Sequence, residues 1–276
     1  MNAPLPEPKR LLEPDIKAAL LNHLIDQDQI DGDAVLINEF TVEGSSRRAD
    51  LVIVDRKLHA YEIKSNADSL ARLPGQVNTY MRHFDKVTIV TACRHTEHVL
   101  RSTPESVAVI SVDDRGVFKT LRRGKTRLIK DRDALLSHHL LGDLRSALKA
   151  SGITPLPTKR SEAERHAKKL PIKALRSSVI RALKSRYQKT SSAFLKAVGS
   201  GSVEGQHLPL LSPFLSTHTD GLTANQNAIE LCLSWASSLP EAPDDWGLAR
   251  WAAKSQTEPF GPVPERIKRL VNNLTF

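Results

Sequence analysis

Apolar residues recur at Ile16, Ala19, Leu20 and Leu24, the spacing of one helical face, which predicts a helix over 13–25. An aliphatic run, Ala34 to Phe40, predicts a first strand. Arg48 to Val54 and Lys57 to Lys64 then read as two further strands joined by a tight turn at Asp55-Arg56-Lys57. Pro74 to Phe84 has the pattern of a helix opened by its proline, with Gln76, Tyr80 and His83 on one face and Val77, Met81 and Phe84 on another. Ser65 to Leu73 is rich in turn and cap formers and should lead into a helical segment before Pro74, with Asp68 as a cap. Val87 to Thr91 and Val107 to Val112 predict two more strands with a short helix around 95–98 between them. Gly116 to Ile129 reads as a basic hairpin or loop.

From Asp131 onward the period becomes helical. Helices are expected over 133–149, 162–169 and 171–187, the last with Ile172, Leu175, Val179, Ile180 and Leu183 as its apolar stripe. Residues 200–205 look like a linker, and 223–238 carries Ala228, Leu231, Cys232 and Trp235 at helical spacing. Trp235, Trp246 and Trp251 are expected to act as packing anchors. The resulting class is α/β, a mixed central sheet flanked by helices. Residues 1–130 form the core, 131–199 a basic α-helical C-terminal extension, and 200–276 a helical and irregular region to which the pattern assigns no role.

Chemistry concentrates in the second and third strands. Because side chains alternate along a strand, Glu62 and Lys64 share one face while Ile63 goes to the other. A hairpin at 55–57 would set the start of one strand beside the end of the next, bringing Asp50 to Glu62 and Lys64. Two adjacent carboxylates repel, and a divalent cation relieves that repulsion. Hard oxygen ligands suit Mg²⁺ or Mn²⁺, here Asp50, Glu62 and the Ile63 carbonyl. A lysine two residues past the glutamate can hold the attacking water and offset charge developing on a phosphate, so the set suits metal-assisted phosphodiester hydrolysis. Glu39, at the end of the first strand, is either a third carboxylate of this site or a partner supporting its ligands, or else an exposed strand end. Glu13 and Asp15 complement the dipole of the first helix. His95 and His98 have metal-like spacing but no third ligand near them in sequence, which favours ordinary surface histidines.

Asp50, Glu62-Ile63-Lys64, the Gln76 and Tyr80 pair on the following helix and the strand at 86–90 together resemble the PD-(D/E)XK nuclease superfamily. The resemblance covers roughly residues 10–115, and it departs from the superfamily's name in having Ala49 before the aspartate. It implies a restriction-endonuclease-like core. It further implies that Asp50 and Glu62 bind the metal, that Lys64 assists the water, and that Gln76 and Tyr80 orient the site or the nucleic acid. In some members a glutamate of the first helix joins the metal site, a role that would fall to Glu13. The expected activity is a Mg²⁺-dependent deoxyribonuclease in repair, restriction or mobile-element biology. The alternative is a nuclease fold that binds DNA or regulates without cutting.

Charge sharpens the partner expectation. Residues 145–198 hold 14 of the 40 Lys and Arg but 2 of the 31 acidic residues, the footprint of a surface that meets phosphate backbone. Arg47, Arg48, Arg72, Arg176, Arg181, Lys184 and Arg186 are the candidate contacts, with DNA expected ahead of RNA. A homodimer contact is the other use open to the stripe of 171–187. The two cysteines, Cys93 and Cys232, are far apart, so neither a disulfide framework nor a zinc site is indicated. No apolar leader and no run of about 20 apolar residues is present, which points to a cytoplasmic protein without a membrane span.

Overall fold

The computed structural model describes residues 11–30, 32–42 and 47–212, all within one compact unit, Met1–Gly221. The expected helix at 223–238 and the three tryptophans lie outside the described residues. The described elements are α1 (Glu13–Asp26), β1 (Val35–Val42), β2 (Arg47–Val54), β3 (Leu58–Lys64), α2 (Leu73–His83), β4 (Lys86–Ala92), α3 (Thr96–Ser102), β5 (Ala108–Val112) and β6 (Phe118–Arg122). They continue with α4 (Arg132–Ser137), α5 (Leu141–Ala150), α6 (Arg160–Ala167) and α7 (Ile172–Val198). The six strands form one mixed sheet in chain order. β1, β2 and β3 make an antiparallel meander, β3, β4 and β5 run parallel, and β6 returns antiparallel. The α/β class expected from the pattern is therefore present.

The central strands β3 and β4 are buried on both faces, and they carry His59, Glu62, Lys64, Thr88 and Thr91 into the interior beside their aliphatic residues. On one face α1 packs Ile16, Leu20, Leu21 and Leu24 against Leu36, Leu51, Ile53, Tyr61 and Ile63. On the other, Val52, Val54, Ala60, Val87 and Ile89 meet α2 and the helices that follow. Each fully buried aliphatic side chain contributes about 1.5–3 kcal/mol.

The helices after 131 cover the sheet. Leu175, Val179, Leu183 and Tyr187 of α7 lie in the same core cluster as the strands, so the apolar stripe is occupied within the molecule. α7 also runs past the position at which its helix was expected to stop, because no glycine or proline interrupts it before Gly199. Phe194 thereby reaches the α1 side of the core. Ser191 Oγ accepts the Leu36 amide of the edge strand β1 at 3.1 Å, which closes an edge donor that would otherwise lack a strand partner.

Other boundaries differ from the pattern as well, and β1 runs on to Val42, so that Glu39 lies within the strand and not at its end. Residues 65–72 form turns rather than a helix, because Asp68 accepts the Ser65 amide and hydroxyl instead of helical amides. The helix expected over 133–149 breaks at 138–140, where the His138 ring bonds the His83 carbonyl at 2.9 Å and the Leu140 amide turns to Asp143. The linker expected at 200–205 is fastened. Asn22 accepts the Val203 amide and donates to its carbonyl, and a 3₁₀ turn at Gly205–Leu211 packs Leu208 and Leu211 beside α1. Among the described residues no helix is long and apolar enough to cross a membrane.

Asp85 ties the layers together. Its buried carboxylate accepts the Leu58 and Ile129 amides and both terminal nitrogens of Arg176, at 2.8–2.9 Å. Removing one partner of such a pair strands the other charge. Arg176→Met is therefore expected to lower stability by about 3–5 kcal/mol, read by urea denaturation; a neutral result would show that Asp85 does not need its cation.

Burial lowers the His138 ring from 6.5 to about 4, against the opposing bond to the His83 carbonyl. The unfolded ring takes a proton that the folded ring refuses between these values. Stability is thus fully present above 6.5 and is lost as pH falls toward 4. His138 alone should cost about 2 kcal/mol between pH 7 and 5. Denaturation across that range should show the loss, and His138→Gln should remove about one proton from the slope.

Candidate functional site

The site begins with a break in a strand pair. β1 and β2 keep register from Val35↔Val54 to Asn38↔Leu51 and resume at Phe40↔Ala49, leaving Glu39 and Asp50 facing one another outside the ladder. Glu39 has φ of +58°, a left-handed conformation that costs a glutamate about 1–3 kcal/mol. Below the break Leu36 and Leu51 point to the α1 face, whereas above it Phe40 and Ala49 point to the opposite face. Strict alternation would have kept them together. The break therefore puts Glu39 and Asp50 at a rim that both helical layers reach.

From the α2 side comes a bonded set. Glu62 is 1% exposed, on a strand whose seven residues are all buried. Its Oε1 accepts Lys64 Nζ at 2.6 Å and also Gln76 Nε2, and its Oε2 lies 2.8 Å from the Tyr80 hydroxyl. That hydroxyl is also 2.6 Å from the Arg48 carbonyl, so its one proton serves two acceptors. Gln76 and Tyr80 reach Glu62 together because they lie four residues apart on α2. Gln76 Oε1 is buried without a hydrogen-bond partner among the described residues.

Asp50 Oδ2 accepts the Ile63 amide at 2.6 Å. A residue's N–H and C=O lie on the same side of an extended strand, so the Ile63 carbonyl also faces β2. Burial, and next the Glu62 charge, push the Asp50 carboxyl well above the usual carboxylate range, opposed by the Ile63 amide. Burial also raises Glu62, opposed first by Lys64. Burial and the adjacent Glu62 charge raise the Tyr80 hydroxyl, which stays protonated.

From the α1 side come Glu13 and Lys17. Carboxylate oxygens of Glu13, Glu39 and Asp50 lie within 4.8 Å of one another, so Glu13 belongs to the cluster as well as to the start of its helix. Lys17, only 3% exposed, bonds Glu39 Oε1 at 2.6 Å and Asn38 Oδ1 at 2.8 Å, and lies 3.3 Å from Glu13. Arg48 pairs with the other oxygen of Glu39. Lys17 was not singled out from the sequence, although a signal existed. It stands at the head of the stripe Leu20, Leu21, Leu24, where an apolar residue is expected.

The basic candidates divide. Arg47 lies against the start of α2, where a methyl group on Gly75 would meet its Nη2 at 2.9 Å. Arg48 is exposed beside Glu39, Arg72 is exposed just before α2, and Arg181 is exposed on α7. Arg176 is held by Asp85, Lys184 by Asp33 at 2.6 Å, and Arg186 by Asp143. The sequence shows their charge but not these acidic partners, which come from distant segments.

The oxygen donors suit a hard divalent cation. Asp50 Oδ1 has no described hydrogen bond, Gln76 Oε1 is buried and unpartnered among the described residues, and positive charge would offset the burial and the Glu62 charge that push the Asp50 carboxyl up. In class, then, this is a mixed α/β protein with a buried carboxylate and lysine site at the rim of its sheet. Residues 7–212 match the family model described as bacteriophage P4 protein cII. Protein cII of Enterobacteria phage P4 is 35% identical over 207 residues, 73% of this chain and 78% of that protein. The chain belongs to the bacteriophage P4 protein cII family. Among solved structures, a protein of unknown function from Silicibacter pomeroyi matches 62% of this chain and 99% of its own, at 16% identity and a TM-score of 0.34.

Two substitutions rank the contacts around Glu62. Lys64→Met strands a buried carboxylate and should cost about 3–5 kcal/mol. Tyr80→Phe removes a hydroxyl bridging two acceptors and should cost about 1–3 kcal/mol. Urea denaturation of both should give that order, and the reverse order would mean that Glu62 carries no charge in the folded protein.

Proposed function

We propose that this chain is a metal-dependent nuclease of PD-(D/E)XK type with a restriction-endonuclease-like core, hydrolysing phosphodiester bonds in DNA. The observation that carries the reading is that Lys64, Gln76 and Tyr80, from β3 and α2, converge on the buried Glu62 carboxylate while Asp50 of β2 bonds the amide of the adjacent Ile63. Asp50 and Glu62, with the Ile63 carbonyl facing the same side, would hold Mg²⁺ or Mn²⁺. The ion supplies Lewis-acid stabilisation and an acidified water.

The remaining chemistry falls to the chain itself. Lys64 has ammonium protons beyond the one given to Glu62, and these can hold a water or a phosphate oxygen. Gln76 fixes Glu62 with its amide nitrogen and leaves its oxygen for a water or an ion. Tyr80 links Glu62 to the Arg48 backbone, which ties the site to the strand carrying Asp50. Arg48 pairs with Glu39 at this rim, Arg47 lies against the start of α2 and Arg72 is exposed just before that helix, and these three can meet phosphates beside the scissile bond.

A second reading is a DNA-binding or regulatory protein that keeps the fold and does not cut. It draws on the occupancy of the acidic groups: both Glu62 oxygens and both Glu39 oxygens already have partners. The test is incubation of the full chain with supercoiled, linear, single-stranded and branched DNA in Mg²⁺, Mn²⁺ or EDTA. Cutting should require the metal, vanish in Asp50→Asn and fall about 10²–10³-fold in Lys64→Met. Salt-sensitive binding with no cutting on any substrate would reject the nuclease in favour of the second reading.

A further inference from the structure

A buried lysine at the edge of a carboxylate cluster needs a reason. Lys17 comes from α1, is almost fully enclosed, and donates to Asn38 and Glu39 while lying beside Glu13. The three carboxylates around it, Glu13, Glu39 and Asp50, are close enough together to share one cation. Glu39 has no oxygen free of a cation, since Lys17 takes one and Arg48 the other. Its strained backbone is what turns it toward Lys17 instead of along the ladder.

We propose that Lys17 is a positioning residue whose ammonium permanently fills the second cation position of this site, so that the centre takes a single divalent ion. The proposal rests on the metal-dependent reading given above. Formal charge supports one ion over two. With all four carboxyls ionised, as ligation of a metal requires of Asp50 and Glu62, Glu13, Glu39, Asp50 and Glu62 contribute four negative charges and Lys17, Lys64 and Arg48 three positive ones, leaving −1. One divalent ion brings the set to +1, matched to a single phosphodiester. Two would bring it to +3 beside an ammonium that burial prevents from moving into water. Without Lys17 the set stands at −2, with Glu39 Oε1 released beside the carboxylates of Glu13 and Asp50. Asp50 and Glu62 then serve the divalent ion, and Glu13 and Glu39 serve Lys17.

The test counts Mn²⁺ bound to the intact chain by titration calorimetry and by the EPR signal of free Mn²⁺, with no DNA present. The native chain should bind one Mn²⁺ and folded Lys17→Met two, while Asp50→Asn should bind none. Glu39→Gln covers the case in which Lys17→Met does not fold. It should still bind one ion, weakened by no more than about tenfold, the effect of losing a neighbour rather than a ligand. Two ions on the native chain, one ion on folded Lys17→Met, or abolished binding in Glu39→Gln would each overturn the role of Lys17 while leaving a metal site. A native chain that binds no Mn²⁺ would overturn the metal reading and this proposal with it.

Discussion

A carboxylate in the middle of a fully buried strand is the constraint on which the site depends. Glu62 sits on β3 between Tyr61 and Ile63, which face the α1 side, and shares the opposite side with Ala60. Left alone, its charge would be untenable there. Lys64, Gln76 and Tyr80 make it tenable, and each must come from a fixed place: two residues along the same strand, and two positions one turn apart on α2. The packing of α2 against the sheet is thus coupled to the electrostatics of a single side chain.

A second buried carboxylate does comparable work at the other end of the strand. Asp85 precedes β4, and through two backbone amides and Arg176 it binds the start of β3, the segment after β6 and the first half of α7. The helical layer is in this way anchored to the sheet by directional bonds as well as by apolar contact. α7 then continues far enough to reach the opposite core and cover the β1 edge, so that one helix contributes to both faces. The Asn22 clamp on Val203 closes the same side.

Between these two anchors the β1 and β2 pair yields. The Glu39 and Asp50 break changes which face each strand presents, and it is the reason that α1 and α2, on opposite sides of the sheet, can both send polar groups to one rim. The cost is a left-handed glutamate. Strain of this kind persists where surrounding contacts hold it, and here Lys17 and Arg48 grip both oxygens of that residue.

Much of this was legible in the residues. The strand period of 48–64, the turn at 55–57 and the helix opened by Pro74 fix the meander and the helix after it. Side-chain alternation alone places Glu62 and Lys64 on one face and Gln76 with Tyr80 on another element, because these are local consequences of backbone geometry. The sequence marks Lys17 as out of place on its apolar stripe but could not reveal its partners, the break at Glu39, or the partners of Arg176, Lys184 and Arg186. Each depends on segments far apart in the chain: Lys17 with Asn38 and Glu39, Arg176 with Asp85, Lys184 with Asp33, Arg186 with Asp143. A basic residue looks the same in sequence whether it faces solvent or a buried acid. Only the tertiary structure, by bringing the compensating charge alongside, decides which one it is.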